Sequence, residues 1–301
     1  RQQGQQPCTQ GQTRSLNADG MRLGYNTNGL AHHRLSDALP LLAELGYRGV
    51  ALTPDVGALD LYNLRAEEVH TVRELAQSHD LSLVVETGSR YLLDPRRKHR
   101  PSLLEDSAVQ RGRRIDFLKR SIDLAVELRA PKVSIWAGLE PEGPGRTTRE
   151  QLMDRLVAGL VEVLDHARAR SVRVCFEPEP GMFIERPAGY LELRERLGER
   201  GRELGLTLDV GHCLVTGDLP VEAQIRNLAP YLEHCHLDDI RAGVHEHRPF
   251  GEGELDLPAT LGALVGIGFV GMAAVELSRD SHRGAAMAER TLRQLQAALR
   301  A

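Results

Sequence analysis

Four side chains able to bind a cation or move a proton close short apolar runs in the second half of the chain: Glu177 in CFEPEP, Asp209 in LTLDVGHC, His236 in EHCHLDD and Glu276 in AAVELS. A charge at the end of a run such as VRVCF, LTL or AAV is costly unless it is paired or binds a metal. With a two-residue period, Glu177 shares a face with Cys175, Asp209 with Thr207 and Glu276 with Ala274. The bulkier Phe176, Leu208 and Val275 then take the opposite face. Three carboxylates packed together repel one another, and a divalent cation resolves the conflict. Oxygen-rich, with one imidazole and no thiolate, the set suits Mn²⁺ or Mg²⁺ and admits Co²⁺ or Zn²⁺. Any one of these acids alone would more simply cap a helix or pair with a loop arginine. Four at corresponding positions argue for a shared site.

Such side chains meet only if their strands end together. From Met21 onward the chain repeats one unit eight times: a short apolar run, a Gly, Pro, Asn or Asp break, then an amphipathic stretch rich in Ala, Leu, Arg and Glu. The strand candidates begin at Arg22, Arg48, Leu81, Lys132, Val172, Leu204, Tyr231 and Gly271. Helix candidates between them include LSDALPLLAELG, RAEEVHTVRELAQSHD, GRRIDFLKRSIDLAVELR and REQLMDRLVAGLVEVLDHARAR, and RGAAMAERTLRQLQAALR closes the chain. Strict alternation predicts parallel strands with helical crossovers. Eight units fit an α/β fold, the closed eight-stranded parallel (β/α)₈ TIM barrel, as one domain over 21–301. A doubly wound open sheet is the alternative, but no Gly-rich dinucleotide fingerprint follows the first strand. Residues 1–20, polar and without apolar period, are expected to be a disordered tail. The two long connections, 88–112 and 240–256, both follow strand ends and belong over the mouth of the barrel.

The 301 residues are 41% hydrophobic and 27% charged, with a formal net charge of −4, which gives no basic footprint for DNA. No apolar run reaches membrane-spanning length, and the expectation is a cytoplasmic protein with no membrane or nucleic-acid partner. Cys8, Cys175, Cys213 and Cys235 are few. Three of them lie in or beside strand-like runs, as buried free thiols do.

The ordered set of strand-end motifs, Glu-Pro at 177, DVGH from 209, HLD from 236 and an apolar run ending in Glu276, resembles the xylose-isomerase-like TIM-barrel superfamily. That superfamily holds sugar and sugar phosphate isomerases and epimerases and the family 2 AP endonucleases. The resemblance spans roughly residues 21 to 300. It implies metal ligands at Glu177, Asp209, His236 and Glu276, a substrate-binding histidine at His212, and proton transfer by Glu177 and Glu276. The implied chemistry is metal-assisted: a cation on a carbonyl and its neighbouring hydroxyl acidifies the α C–H and stabilises the enediolate. Proton return to the other face epimerises, and return to the neighbouring carbon isomerises. The expected partner is a small carbohydrate, sugar phosphate or cyclitol, and the expected assembly a homodimer or homotetramer.

In the AP endonucleases an Asp-x-His pair before a Gly-Glu-Gly binds further zinc, and the corresponding pair here is His245 and His247, a candidate second metal site. The histidines those nucleases need on strands two to four are replaced by VVETG and SIWAG, which with the acidic charge argues against DNA repair. His247 and Arg241 are instead expected to hydrogen-bond substrate oxygens. Glu86, at the end of strand three, is expected to orient substrate, and Trp136 and Tyr25 to wall the pocket. The basic knot Arg96, Arg97, Lys98 and Arg100, in the loop over 94–114, reads first as solvated charge and second as a clamp for a phosphate or carboxylate. A dehydratase resembling the superfamily's dehydroshikimate dehydratases and a non-catalytic metabolite-binding barrel are the competing functions.

At CFEPEP the proline chooses between two acids. Pro178 cannot donate to a sheet ladder, so it ends the strand and leaves Glu177 facing the axis. Glu179 then stands one period higher, toward substrate or a loop.

Overall fold

The eight runs do close into a parallel barrel in a computed structural model that describes residues 20–142 and 147–301. The expected tail over 1–20 lies, apart from Gly20, outside the described residues, as does Cys8. The strands are β1 (Arg22–Asn26), β2 (Gly49–Leu52), β3 (Ser82–Glu86), β4 (Lys132–Ile135), β5 (Arg173–Phe176), β6 (Leu204–Asp209) and β7 (Leu232–Leu237). Two further strands, β8 (Asp239–Arg241) and β9 (Val244–Arg248), precede the last barrel strand, β10 (Met272–Val275). The order around the barrel is β1-β10-β7-β6-β5-β4-β3-β2. Every pairing is parallel, as helical crossovers require.

Helices α1 (Leu35–Leu45), α2 (Ala66–Ser78), α3 (Ala108–Leu128), α4 (Arg149–Ala169), α5 (Pro187–Arg196), α6 (Val210–Thr216), α7 (Val221–Leu228), α8 (Leu257–Gly266) and α9 (Gly284–Ala298) complete the fold. Local sequence sets several boundaries. Thr148 and Gln151 form a reciprocal capping box that opens α4, with Gln151 N–H on Thr148 Oγ1 at 3.2 Å and Thr148 N–H on Gln151 Oε1 at 2.9 Å. Ser107 caps α3, which therefore starts at Ala108, a turn before the expected Gly112. No helix among the described residues is long and apolar enough to cross a membrane.

Phe176, Leu208 and Val275 join the large core between sheet and helices, while the lumen is filled in layers. At its lower end Ala51, Val84, Met272 and Ala274 form a cluster of their own. Gly49 makes room for it, because a Cβ there would stand 2.8 Å from Met272 Cε. Above this plug Ser134 Oγ and Thr207 Oγ1 share a hydrogen bond of 2.8 Å. Glu86 and the acids at the ends of β5, β6 and β10 lie at the C-terminal end of the barrel, over this packed interior. Cys175, Cys213 and Cys235 are buried free thiols, as expected.

The connection over 240–256 differs from the expected loop. Its first half is the antiparallel hairpin β8–β9, turned at Ala242 and Gly243, both with positive φ (53° and 68°). Asp239 pins the rest: Oδ2 accepts from Gly251 and Gly253 N–H, each at 2.9 Å, and Oδ1 from Leu255 N–H at 2.8 Å.

Candidate active site

Register places the acids together. Asp209 lies opposite His236 across β6 and β7, and His236 lies opposite Ala274 across β7 and β10, two residues before Glu276. Glu177 follows β5 directly, and its N–H still donates to Ile135 O at 2.7 Å, so the strand ladder reaches as far as Pro178 permits. Ligand atoms of Glu177, Asp209, His236 and Glu276 lie within 4.8 Å of one another. His236 Nδ1 is the hub, 2.8 Å from Glu177 Oε1, 3.0 Å from Glu276 Oε2 and 3.9 Å from Asp209 Oδ2.

Asp209 combines two tasks that the sequence set against each other. Its Oδ1 caps α6 by accepting from His212 N–H at 3.0 Å. Its Oδ2, buried, has no hydrogen-bond partner among the described residues. A buried carboxylate oxygen without a donor is costly, and here it is aimed at two further carboxylates and an imidazole. That donor set fits a divalent cation: three hard oxygen ligands and one nitrogen, closed by a buried floor.

Electrostatics carry the same message. Burial pushes the Glu177 carboxyl up to about 7, with His236 opposing it and Glu276 adding to it. Burial lowers the affinity of His236 for a proton, yet Glu177, Glu86 and Glu276 outweigh it and raise that imidazole well above its ordinary value. Asp209 stays below the usual carboxylate range because His212, His247 and His236 overcome its burial. A cation held by these residues would have to displace the protons that Glu177 and His236 retain.

A cavity of about 850 Å³ opens above, lined by Asn26, Asn28, Trp136, Glu179, His245 and His247 among others. His212 donates from Nδ1 to Pro178 O at 2.9 Å, which leaves Nε2 facing His245 Nε2 at 3.0 Å and Glu179 Oε2 at 3.6 Å. Gly211 is fixed by packing: a Cβ there would fall 2.0 Å from Asp238 Oδ1, so DVGH needs its glycine. His245 and His247 stand on the inward face of β9, and His247 Nδ1 lies 2.8 Å from Asp238 Oδ2. Trp136 does wall the cavity, with the buried guanidinium of Arg114 4.1 Å over its ring and the His99 ring edge-on at 5.3 Å. Burial pulls Arg114 down to about 9.

Glu86 borders the cavity, and its Oε1 accepts from His234 Nε2 at 3.0 Å and His236 Nε2 at 3.1 Å. Two expectations are corrected. Arg241 is exposed at the tip of the hairpin and lines a separate hollow with Arg248 and Gly251 to Glu254. Tyr25 is fully buried on the outer face of β1, packed edge-on to Tyr47 at 5.6 Å. Of the basic knot only Lys98 lines the cavity, where Arg90 and Arg279 join it. Arg97 pairs with Asp94 at 2.8 Å, and Arg100 is buried against Glu105 and the carbonyls of Leu139 and Glu140.

Residues not anticipated include Asn28, whose Nδ2 donates to Glu276 Oε1 at 2.7 Å, Asn26, which accepts from Thr53 Oγ1 at 2.9 Å, and His234. The signal for His234 was present in EHCH, where alternate residues share a face.

A family described as xylose isomerase-like TIM barrel matches residues 39–301. The chain is 26% identical over 293 residues to an uncharacterised protein of Mycobacterium leprae (strain TN), covering 90% of this chain and 94% of that one. In fold it is similar to D-allulose 3-epimerase from Methylomonas sp., with TM-score 0.75, 14% identity, and 93% of this chain and 98% of that one covered. The 3-keto-D-glucoside 4-epimerase of E. coli gives TM-score 0.75 and 14% identity over 92% and 99% of the two chains. The D-psicose 3-epimerase of Clostridium cellulolyticum H10 gives TM-score 0.72 and 14% identity over 93% and 99%. At these identities the structural likeness establishes the fold.

Proposed function

The chain belongs to the xylose isomerase-like TIM-barrel family, and on that footing we propose that it is a divalent-metal-dependent isomerase or epimerase of a ketose, sugar phosphate or keto-cyclitol. The observation that carries this reading is the pair Glu177 and Glu276, which approach one imidazole nitrogen at 2.8 and 3.0 Å from strands on either side of β6 and β7. Two carboxylates so placed flank a carbon held between them.

Glu177, Asp209, His236 and Glu276 would hold the cation, Mn²⁺ or Mg²⁺ by their oxygen content. When bound, it supplies Lewis-acid polarisation of a carbonyl and its adjacent hydroxyl, which makes the C–H between them acidic. Glu177 as carboxylate takes that proton, and Glu276 as carboxylic acid returns one to the opposite face. After turnover the two have exchanged protonation states. Burial, with the Glu276 charge adding to it, pushes the Glu177 carboxyl up to about 7, a range suited to proton exchange near neutral pH. Asn28 donates to Oε1 of Glu276 at 2.7 Å and so orients that carboxyl, with Oε2 3.0 Å from His236 Nδ1.

Glu179 and His247, which line the cavity, would exchange hydrogen bonds with substrate hydroxyls, with His212 behind them through its Nε2 facing Glu179 and His245, and Trp136 would cover an apolar sugar face. The facing nitrogens of His212, His245 and His247 also lie within 4.8 Å of one another and favour a second reading for these three, a second cation site. Titration with one metal separates the two: substrate-binding histidines give one equivalent bound, a second site gives two.

The activity is tested by incubating metal-loaded protein in D₂O with ketoses, their phosphates, 3-keto-glucosides and inososes. Deuterium should enter at the carbon beside the carbonyl of at least one of them. A metal-replete protein that labels none of the panel would sink the reading.

A further inference from the structure

We infer that Glu86 is a positioning residue for His236, and that His234 holds Glu86 to that task. The inference rests on the metal-centred reading above and adds to it the groups that decide which nitrogen of His236 faces the cation. Strands β3 and β7 stand on opposite sides of the closed barrel, so Glu86 reaches His236 across the lumen rather than along a neighbouring strand. Its Oε1 lies 3.1 Å from His236 Nε2 and 3.0 Å from His234 Nε2, and all three side chains are buried. The two Nε2 atoms are 3.1 Å apart, and the rings are set at 88°.

A carboxylate oxygen only accepts, so both imidazoles donate to it from Nε2. For His236 this fixes the tautomer: Nε2 carries hydrogen, and the Nδ1 lone pair is left for the cation among Glu177, Asp209 and Glu276. The other tautomer would set a lone pair against the Glu86 oxygen. Metal-bound imidazoles are commonly oriented in this way by a carboxylate on the far nitrogen.

His234 supplies the second half of the argument. It is fully buried, and its Nδ1 has no hydrogen-bond partner among the described residues. An apolar residue would avoid that cost, so what the imidazole offers at this position is its Nε2–H. Two donors converging on one oxygen keep Glu86 in the floor. Released, the carboxylate could rise into the cavity it already borders and compete as a further ligand.

The test uses the metal-loaded protein, with Glu86→Gln and His234→Phe beside wild type. Manganese affinity measured by calorimetry should weaken on the order of 10- to 100-fold in Glu86→Gln, and by less in His234→Phe. In zinc-loaded, ¹⁵N-histidine-labelled protein, wild-type His236 should carry its proton on Nε2, with a strongly downfield N–H that is lost in Glu86→Gln. Equal thermal midpoints of the metal-free proteins would separate this role from simple structural support. Should Glu86→Gln not fold, the wild-type spectrum still decides, because His236 protonated on Nδ1 would overturn the inference. So would wild-type manganese affinity in Glu86→Gln, or an extra manganese equivalent in wild type that this variant lacks, since Glu86 would then be a ligand. Wild type that binds no divalent cation would defeat the metal-centred reading itself, and this inference with it.

Discussion

The two halves of the barrel end in different chemistry. Strands β5, β6, β7 and β10, which are adjacent in the closed sheet, end in Glu177, Asp209, His236 and Glu276. Strands β1 to β4 lead instead into one acid, Glu86, and the neutral Asn26, Asn28, Thr53, Thr87 and Trp136, which line the same cavity. Adjacency explains the first set, because side chains at the ends of neighbouring strands meet without long reach. The second set works on the first: Asn28 holds Glu276 and Glu86 holds His236. One half is therefore read as the reacting half and the other as the half that aims it.

The largest expected effect breaks that comparison if it fails. Glu276→Gln keeps the shape and the contact from Asn28 but removes the proton carrier, and kcat/KM should fall by about 10³-fold or more. Asn28→Ala, its counterpart in the aiming half, should cost roughly 10-fold, because Glu276 remains and only its orientation loosens. Steady-state kinetics on the substrate found by deuterium labelling measures both. Equal losses would erase the distinction between the halves.

A second contrast lies within the reacting half. Glu177→Ala should abolish turnover and weaken metal binding, while Glu179→Ala should lower kcat/KM by about 10-fold and leave metal affinity alone. Glu179 stands 3.6 Å from His212 Nε2 and 3.9 Å from His245 Nε2, above the ligand layer. Loss of metal in Glu179→Ala would move it into the ligand set and favour the second cation at the histidines.

Acid should expose the same asymmetry through metal affinity. Both Glu177 and His236 hold protons above their ordinary values, so below about pH 7 a cation must displace protons to bind. As pH rises those protons leave, and affinity should increase by about tenfold per unit for each proton displaced, levelling once both groups are bare. Calorimetric titration of manganese from pH 5.5 to 8 checks this. A flat profile would mean that the cation does not sit where the protons are.

Much of this cluster was legible because Glu177, Asp209 and Glu276 each follow a short apolar run at a strand end, although Asp209 also serves as the cap of α6. Pro178 settled which glutamate of CFEPEP belongs to the strand, since a ladder cannot pass it. What was illegible depended on closure or parity. Glu86 meets His236 only across the finished lumen, a contact no neighbouring-strand argument reaches. Tyr25 was misplaced by one residue of strand phase: Gly24 and Asn26 face inward, so the tyrosine faces the helices. The hairpin escaped notice because His245, Glu246, His247 and Arg248 alternate without any apolar residue to mark a face. Arg100 read as free charge because, besides Glu105 five residues on, its partners are the carbonyls of Leu139 and Glu140 some forty residues away.

The smallest effects concern the mouth, where four cations looked alike in sequence and differ in space. Lys98 lines the cavity and has no carboxylate partner among the described residues; Arg90 beside it spends one Nη2–H on Ser278 O at 3.2 Å. Burial and then Arg90 lower the proton affinity of Lys98, and an anionic group on the substrate would offset both. Lys98→Met should therefore raise KM about 3- to 10-fold for a ketose phosphate and leave the free ketose unchanged. The difference should shrink as salt rises, because exposed charges are screened. Arg241→Ala, on the far side of the hairpin, should change neither substrate by as much as twofold. If Arg241→Ala instead matches Lys98→Met, the hairpin must close over the cavity in solution further than its fold here shows, and the aiming half would extend beyond β1 to β4.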